Sequence, residues 1–322
     1  MTTIQDNIKL QIILGNQYNP YLNLAVESNL LDNFIPNTVC LFLWKNKQTV
    51  VIGTNQNPYS ECDVESLLNE GGFLARRRTG GGAVYHDLGN LNFSFVADKN
   101  IYDVKRQMQV IQKALLNFNL ETEVSGRNDI TYQGRKFSGN AFAKTKHQGL
   151  HHGTILIKTD SERLQKYLKV KPAKLHKHGV KSVASRVINL SEVANITSDN
   201  IIPHLIKAFE DVYQNTATVI NFDDLCNEDA IRLSQHIGSE EYLFGKWKEF
   251  HTNKSATFDW GSIDIDLDID EENGIIKDIN IASDSLEPAS IEAAVKLLKN
   301  SSLTEVPYSD NHIIKDIISL IY

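Results

Sequence analysis

The chain has 322 residues, 41% of them hydrophobic and 23% charged, which is the usual balance of a globular protein with one large domain or two. Its net charge of −7 argues against a general polyanion binder, so no nucleic-acid partner is expected and any anion site must be a local basic pocket. The sequence contains no long apolar segment, so we expect no signal peptide, no membrane span and no membrane partner.

The three cysteines, Cys40, Cys62 and Cys226, are far apart and include no CxxC pair. This spacing argues against a disulfide framework and against a zinc site. It is typical of proteins in a reducing compartment, and it predicts a cytoplasmic location.

In chain order, the apolar pattern predicts strand 10–14, helix 22–33, strands 39–44 and 49–52, helix 62–69, strand 91–97, helix 101–118, strand 154–158 and helices 201–212 and 229–236. The clearest helix is 101–118, in which the apolar residues from Val104 to Leu115 form one stripe. In strand 91–97 apolar and polar residues alternate, which predicts that one face is turned inward.

The pattern changes near residue 245. Residues 263–269 alternate isoleucine or leucine with aspartate, and after the turn sequence Glu-Glu-Asn-Gly the chain returns as a partner strand at residues 275–281. An amphipathic helix is predicted at residues 291–299. We therefore expect a small second domain, with the chain divided into residues 1–245 and residues 246–322.

The stretch LARRRTGGGAVYHDLGN, residues 74–90, joins three arginines to three consecutive glycines. Glycine backbone can approach a ligand closely, successive N–H groups form an anion site, and arginine adds bidentate hydrogen bonds to phosphate or carboxylate. No GK[ST] follows, as a Walker loop requires, and the glycines lack the spacing of the dinucleotide fingerprint. A strand is predicted at Ala83, Val84 and Tyr85. The glycines alone would favour a tight turn with a solvated basic face, whereas the arginines and the following HDLGN favour an anion site.

A second cluster, GRNDITYQGRKFSGNAFAKTKHQGLHHGTILIK at residues 126–158, places a lysine near small residues. Lys136 can approach a ligand there as a point charge and neutralise a carboxylate and a phosphate together. A solvated surface lysine remains the alternative for Lys136 alone. His151 and His152 are adjacent and point to opposite faces of a strand, which argues against a shared metal and predicts one in a pocket and one on the surface.

The motifs RRRTGGGAVYHDLGN, GRNDITYQGRKFSGNAF, HHGTILI and HGVKSVASRVINL follow one another along the chain. In this order they resemble the lipoate–protein ligase A family of the biotin/lipoate protein ligase superfamily. The resemblance continues into FDWGSIDIDLDIDEENGIIKDINIASDSLEP and so covers most of the sequence. It implies an α+β fold, with a mixed-sheet catalytic domain containing a lipoate tunnel and a small α+β C-terminal accessory domain.

The resemblance implies a reaction in two steps. Lipoate and ATP with Mg²⁺ give lipoyl-AMP and pyrophosphate, and a lysine amine of an acceptor protein then attacks the mixed anhydride to form an amide and release AMP. The implied acceptors are lipoyl domains of 2-oxoacid dehydrogenase E2 subunits and the glycine-cleavage H protein. The accessory domain is implied to rotate between the two steps.

The residue roles of the family fall on matching positions. The implied ATP contacts are Arg77, Gly82, Ala83, Val84, Tyr85 and Lys136. Lys136 is implied to be the catalytic lysine, because it meets both lipoate and the α-phosphate. The implied lipoate or adenylate contacts are Lys136, Gly80, Gly81, His86, Asn90, Asn128, Gly139 and His152. Asp129 is the candidate for Mg²⁺, which prefers one or two carboxylates plus phosphate oxygens. Thr79 stands where a serine is common, which keeps the hydroxyl.

The segment at residues 163–186 carries eight lysines and arginines. In the family this region folds over the adenylate, so we expect a basic lid that also attracts an acidic acceptor domain. A solvated helix and loop remains the alternative.

Three other functions remain open. An ATP-independent lipoyl or octanoyl transferase (an amidotransferase) would use a cysteine, and all three cysteines lie outside the motifs. A lipoyltransferase that accepts preformed lipoyl-AMP is separated from a ligase only weakly by sequence. A non-catalytic adenylate-binding or carrier-docking protein is disfavoured by the intact Arg77, Lys136 and Asp129.

Overall fold

Apolar runs and capping side chains divide the chain into short helices and strands. The computed structural model describes residues 8–126, 128–169, 187–245, 252–270 and 273–322. The first elements are β1 (Lys9–Leu14), α1 (Pro20–Asp32), β2 (Thr38–Trp44), β3 (Thr49–Ile52), α2 (Pro58–Glu61), α3 (Val64–Asn69), β4 (Phe73–Arg76), β5 (Val84–His86), β6 (Asn90–Asp98) and α4 (Val104–Leu116). Next come β7 (Glu123–Ser125), β8 (Asp129–Tyr132), β9 (Arg135–Lys144), β10 (Gln148–Leu156), α5 (Ser161–Tyr167), a 3-10 turn (Leu190–Glu192), α6 (Ser198–Tyr213), β11 (Ala217–Ile220), α7 (Phe222–Leu225), α8 (Glu228–Ile237) and α9 (Glu240–Phe244). The last elements are β12 (Thr252–Phe258), β13 (Gly261–Asp270), β14 (Ile275–Ser283), α10 (Pro288–Leu298) and α11 (His312–Ile321).

Local capping explains where the predicted and observed boundaries differ. The helix predicted at 101–118 begins at Val104, because the Asp103 side chain accepts the Arg106 N–H and caps the first turn. The helix predicted at 62–69 begins at Val64 for the same reason, with Asp63 as its cap. The strand predicted at 154–158 overlaps the end of the longer β10, which stops at Leu156.

Eight strands form one mixed sheet in the order β11-β1-β2-β6-β10-β9-β8-β7. β1 pairs in parallel with β11 and β2, and the other neighbours pair antiparallel. Together with its helices this sheet confirms the predicted α+β fold.

Helices cover both faces of the central strands. α4 and α6 pack on one face, where Leu91, Phe93 and Phe95 of β6 point. α1 and α8 cover the other face, which also carries Phe42 and Trp44 of β2. β6 is consequently buried along its whole length, so the prediction that only one of its faces is turned inward is wrong. Its polar residues therefore face an interior space rather than solvent.

The C-terminal unit is the small α+β domain that the sequence predicted. β12, β13 and β14 form an antiparallel sheet, and the apolar positions of β13 pack with α10 and α11 in a separate core. Its aspartates alternate with those apolar positions along β13. Among the helices that the structure describes, none combines the length and apolar content needed to cross a membrane.

Candidate active site

The glycine loop, residues 77–83, connects β4 to β5 in a second small sheet of order β4-β3-β5. Gly81 has a φ of +90°, a conformation that glycine adopts without strain. A Cβ on Gly53 would lie 2.5 Å from the Gly81 carbonyl oxygen, so the loop packs directly against this neighbouring backbone. A strand follows the glycines, as predicted from Ala83, Val84 and Tyr85, and no helix begins there.

Arg77 holds the glycine loop from inside. Its buried side chain donates from Nη2 to the carbonyl oxygens of Gly80 (2.7 Å) and Gly82 (2.8 Å). Its Nε donates to Thr79 Oγ1 at 3.0 Å. Burial lowers the pKa of Arg77 to about 10, which leaves the guanidinium charged at neutral pH. An internal cation therefore fixes the shape of the loop before a ligand contacts it.

The two neighbouring arginines differ in their surroundings. Arg76 is buried and donates from Nη1 to the carbonyl oxygens of Thr54 (3.1 Å) and Gln56 (2.8 Å). Arg78 is exposed and pairs with Asp32 at 2.6 Å. Two of the three arginines thus lie inside the protein, which contradicts the alternative of a turn with a solvated basic face.

Lys136 lies at the start of β9 and forms an ion pair with Asp129 of β8, with 2.7 Å between Nζ and Oδ1. Both side chains are about one third exposed (36% and 35%). A Cβ on Gly139 would lie 2.8 Å from Lys136 Nζ, so the glycine provides the space that the lysine side chain occupies. Lys136 is therefore a half-buried cation with a defined direction, and not a freely solvated surface lysine.

The glycine loop and Lys136 border one cavity of about 110 Å³, which is many times the space that a water molecule needs. Its apolar wall consists of Leu24, Trp44, Val51, Ala83, Val84 and Ala141. Its polar groups are Arg77, His86, Asn92, Asn128, Lys136, Asn140, His152 and Thr154, with Gly81, Gly82, Gly139 and Gly153 between them. An apolar wall combined with two cationic side chains suits a molecule with an apolar body and an anionic head group.

Two residues that line this cavity carry buried hydrogen-bond donors without partners among the described residues. His86 Nδ1 lies 3.2 Å from Asn46 Nδ2, and its Nε2 has no hydrogen-bond partner among the described residues. Burial, with smaller contributions from Arg77 and His152, lowers the pKa of His86 to about 3, so the ring is neutral. A neutral ring that accepts at Nδ1 carries its proton at Nε2. Asn92 Nδ2 likewise has no partner, which makes both groups candidates to donate to a ligand.

Two family models match the chain. The model described as the lipoyl protein ligase A/B catalytic domain matches residues 19–210, and the one described as the bacterial lipoate protein ligase C-terminus matches residues 248–315. A lipoate-protein ligase A of Bdellovibrio bacteriovorus is 40% identical over 302 residues, covering 91% of this chain and 88% of the relative. The chain belongs to the lipoate–protein ligase family.

Solved structures agree with this family membership. P. falciparum LipL1, solved in complex with lipoate, is 34% identical with a TM-score of 0.82, over 97% of this chain and 99% of that one. A bipartite lipoate protein ligase of Thermoplasma acidophilum, studied with its E2 lipoyl domain, is 26% identical with a TM-score of 0.66, over 76% and 100%. A lipoate-protein ligase A bound with ATP is 25% identical with a TM-score of 0.62, over 75% and 98%. The resemblance predicted from the four motifs is confirmed.

The cavity brings together most of the residues to which that resemblance gave roles. Those that line it are Arg77, Gly81, Gly82, Ala83, Val84, His86, Asn128, Lys136, Gly139 and His152. They come from two motifs that are distant in sequence. The antiparallel ladders from β6 through β10 and β9 to β8 place the second motif beside the first.

Four of the predicted site residues lie around the cavity without lining it. The Tyr85 ring turns away and packs on Tyr167, with 5.8 Å between ring centroids. Asn90 lies behind the cavity wall and donates to Asn92 Oδ1 at 2.9 Å. Asp129 pairs with Lys136, and Gly80 lies beneath the C-terminal unit.

The C-terminal unit contacts the glycine loop directly. The Gly81 N–H donates to the Ser285 carbonyl oxygen at 2.9 Å, and a Cβ on Gly80 would lie 2.0 Å from the same oxygen. The Ser283 N–H also donates to the Asn55 carbonyl oxygen at 2.8 Å. One of the loop amides expected to meet an anion is thus held by the accessory domain in this structure.

Sequence reasoning gave no role to several residues of the site. Trp44, Asn92 and Thr154 line the cavity, and Glu27 of α1 holds His152 from behind. A carboxylate among the apolar residues LAVESNLL is the one signal that could have identified Glu27, because buried glutamates are rare unless paired.

His151 and His152 point to opposite faces of β10, as predicted. His152 lines the cavity, but His151 is completely buried, so the expectation of a surface histidine is wrong. β10 is a central strand with helices on both faces, and no side chain there can reach solvent from the far face. The basic segment expected to form a lid falls largely on residues 170–186, outside the described residues.

Proposed function

We propose that this chain is an ATP-dependent lipoate–protein ligase, which activates lipoate as lipoyl-AMP and transfers the lipoyl group to a lysine of an acceptor protein. The observation that carries the proposal is the single cavity in which Lys136 and the glycine loop meet an apolar wall. Family membership supports it, and so do the relatives solved with lipoate and with ATP.

The first half-reaction has an electrostatic problem that the cavity can address. The lipoate carboxylate must attack the α-phosphorus of ATP, and both groups are anions. Lys136 Nζ, placed at the cavity rim, would contact both groups and lower their repulsion. Glycine-loop amides would hold the phosphate as the P–O bond to pyrophosphate breaks, with ATP contacts at Arg77 and Gly82 to Tyr85.

The cavity wall would hold the rest of the adenylate. We assign lipoate or adenylate contacts to Gly80, Gly81, His86, Asn90, Asn128, Gly139 and His152 as well as Lys136. His86 supports this best, because its ring lines the cavity and its buried Nε2 has no partner among the described residues. In the second step the acceptor amine attacks the anhydride carbonyl and AMP leaves, so no protein nucleophile is required.

The residues present fit a magnesium ion that arrives with ATP. Among the described residues, no cluster of three or more histidine, cysteine or carboxylate side chains could hold a metal by itself. Mg²⁺ needs only one or two carboxylates when phosphate oxygens supply the other ligands, and Asp129 beside Lys136 offers one. The ion would neutralise charge on the leaving pyrophosphate.

The proposed acceptors are lipoyl domains of 2-oxoacid dehydrogenase E2 subunits and the glycine-cleavage H protein. The E2 lipoyl domain studied with the Thermoplasma ligase supports the first of these. We place the division between catalytic and accessory domains at residue 245, between the two family matches. A cytoplasmic location is supported by three unpaired cysteines.

A cysteine-dependent transferase fits the site less well. None of the three cysteines lines the cavity. Burial raises the pKa of Cys40 and Cys62 to about 12, so neither forms a thiolate at neutral pH.

The test of the proposed function is lipoate-dependent exchange of labelled pyrophosphate into ATP, followed by the mass increase of an acceptor lipoyl domain. The wild type should give both signals. Lys136→Ala should lower exchange by about a thousandfold, because it removes the cation that the reacting anions share. Lys99→Ala, at an exposed lysine on another part of the chain, is the matched control. A wild type that transfers preformed lipoyl-AMP but gives no exchange would instead be a lipoyltransferase.

A further inference from the structure

We propose that Glu27 is a positioning residue of the ligase, which acts through His152 and Thr79 to hold Arg77 and, with it, the glycine loop. The inference rests on the proposed function and extends it to a carboxylate that lies behind the cavity wall. Glu27 is on α1, and its side chain is only 3% exposed.

A continuous chain of short hydrogen bonds connects Glu27 to Arg77. Glu27 Oε1 lies 2.8 Å from His152 Nδ1, and His152 Nε2 lies 2.8 Å from Thr79 Oγ1. Thr79 Oγ1 accepts from Arg77 Nε at 3.0 Å. All four side chains are buried, which limits competition from bulk water for these contacts.

The direction of each hydrogen bond follows from the groups at the two ends. Arg77 Nε–H can only donate, so Thr79 accepts there, and to a neutral His152 it gives its own hydroxyl proton at Nε2. His152 then carries its proton at Nδ1 and donates it to Glu27, which is an acceptor when ionised. Every donor in this series of hydrogen bonds has one acceptor, and the series ends at the Glu27 carboxylate.

A second, shorter chain ends on the same oxygen atom. Trp44 Nε1–H donates to Ser94 Oγ at 2.9 Å, and Ser94 Oγ donates to Glu27 Oε1 at 2.5 Å. Trp44 lines the apolar wall of the cavity, whereas Arg77 supports the glycine loop. The single carboxylate of Glu27 therefore supports both the wall that would contact lipoate and the loop that would contact ATP.

The charge of Glu27 also matters to Arg77. Burial of the guanidinium lowers its pKa, and the negative charge of Glu27 acts in the opposite direction. A buried cation and a buried anion that are joined by a continuous series of hydrogen bonds each cost less free energy to bury than either would alone. An uncharged residue at position 27 would leave both the orientation of His152 and the charge of Arg77 without this support.

The test compares Glu27→Gln with two substitutions of Thr79. Glu27→Gln keeps the size of the side chain, and Thr79→Val keeps its shape without the hydroxyl. Each should raise the KM for ATP in pyrophosphate exchange about tenfold and lower kcat about tenfold, because a displaced loop misplaces the phosphate. Thr79→Ser restores the hydroxyl and should stay within about threefold of the wild type. Glu65→Gln, on the exposed face of α3, is the charge-matched control and should leave both constants unchanged.

The double variant Glu27→Gln/Thr79→Val decides whether the residues act as one chain. Either change interrupts the same series of hydrogen bonds. The kcat/KM of the double variant should therefore lie within about threefold of that of the less active single variant. A double variant whose loss of activity equals the product of the two single losses would overturn the proposal. A Glu27→Gln variant that changes only the KM for lipoate would also overturn it. An inactive wild type would reject the proposed function instead, whereas an active wild type with unaffected Glu27 variants rejects this inference alone.

Discussion

His151 and His152 follow each other on β10 and enter opposite faces of the same sheet. His151 lies between the side-chain amides of Gln107 (3.1 Å) and Asn140 (2.9 Å), surrounded by phenylalanine rings. His152 lies between Glu27 and Thr79 at the edge of the cavity. Both are buried, so burial does not distinguish them. Their hydrogen-bond partners distinguish them. His151 contacts amides and aromatic rings, whereas His152 is connected through the Thr79 hydroxyl to the cation Arg77 and contacts the Glu27 carboxylate directly.

The strand next to β10 shows the same division. The register pairs Ser94 of β6 with His152 and Phe95 with His151. On β6 and β10 the face under α4 and α6 thus carries the larger share of aromatic side chains, and the face under α1 carries the hydrogen-bonding groups that border the cavity. The first face contributes mainly stability, and the second contributes mainly the geometry of the site.

The largest expected effect on stability comes from a substitution on the face of the sheet under α4 and α6. Phe95→Ala should lower the free energy of unfolding by about 3–5 kcal/mol, because Phe95 is fully buried against Phe209 and His151. Ser94→Ala should cost about 1–3 kcal/mol, since it removes hydrogen bonds without leaving a large cavity. Chemical denaturation measures both. The comparison fails if Ser94→Ala is the more destabilising of the two, or if it leaves pyrophosphate exchange unchanged.

Substitution of His152 should mainly reduce activity, and substitution of His151 should mainly reduce stability. His152→Ala should reduce kcat/KM for pyrophosphate exchange about a hundredfold, because Arg77 loses its connection to Glu27. His151→Ala should instead lower the melting temperature, while exchange per folded molecule stays within about threefold of wild type. Exchange kinetics and thermal melts on both variants measure this. Equal losses of activity in the two variants would remove the distinction.

The smallest expected effect is on the stability of the protein at acidic pH. Burial, with a smaller contribution from His152, lowers the pKa of His151 to about 3, against about 6.5 for the unfolded chain. The unfolded chain therefore takes up a proton below pH 6.5 that the folded protein does not, and stability falls as pH decreases from there towards 3. His151→Gln removes this contribution, so between pH 7 and pH 5.5 the variant should lose about 1 kcal/mol less than wild type. Urea unfolding at the two pH values checks it, and identical losses would contradict it.

Local patterns were sufficient for much of the fold. Periodicity identified the long helices α4 and α6, and alternation identified β13, because these elements each bury one continuous face. The short β7 and β8 carry no such pattern, since their positions are set by pairing: β8 pairs with β9, and β7 pairs with β8. The isoleucine stripe of α11 is visible in the sequence and extends the predicted domain by one helix.

The site was predictable where its residues belong to motifs and not where they come from register. Arg77 and Lys136 are recognisable because glycines and charges stand beside them in the sequence. Asn92 belongs to a strand whose alternation indicated a solvent-facing side, and only the packing of α1 over that side makes it part of a cavity wall. Glu27 approaches His152 through tertiary packing that no local window contains.

The contact between Gly80 and Ser285 is made by main-chain atoms on both sides. Position 285 can exchange its side chain only for others that fit its buried site, where Ser285 Oγ accepts the Glu287 N–H, but the joint itself requires only that its carbonyl keeps its place. Position 80 has no such freedom, because even an alanine methyl would strike that oxygen. The joint thus places the stricter limit on side-chain size at position 80, and a screen of tolerated substitutions should show this asymmetry across the domain border.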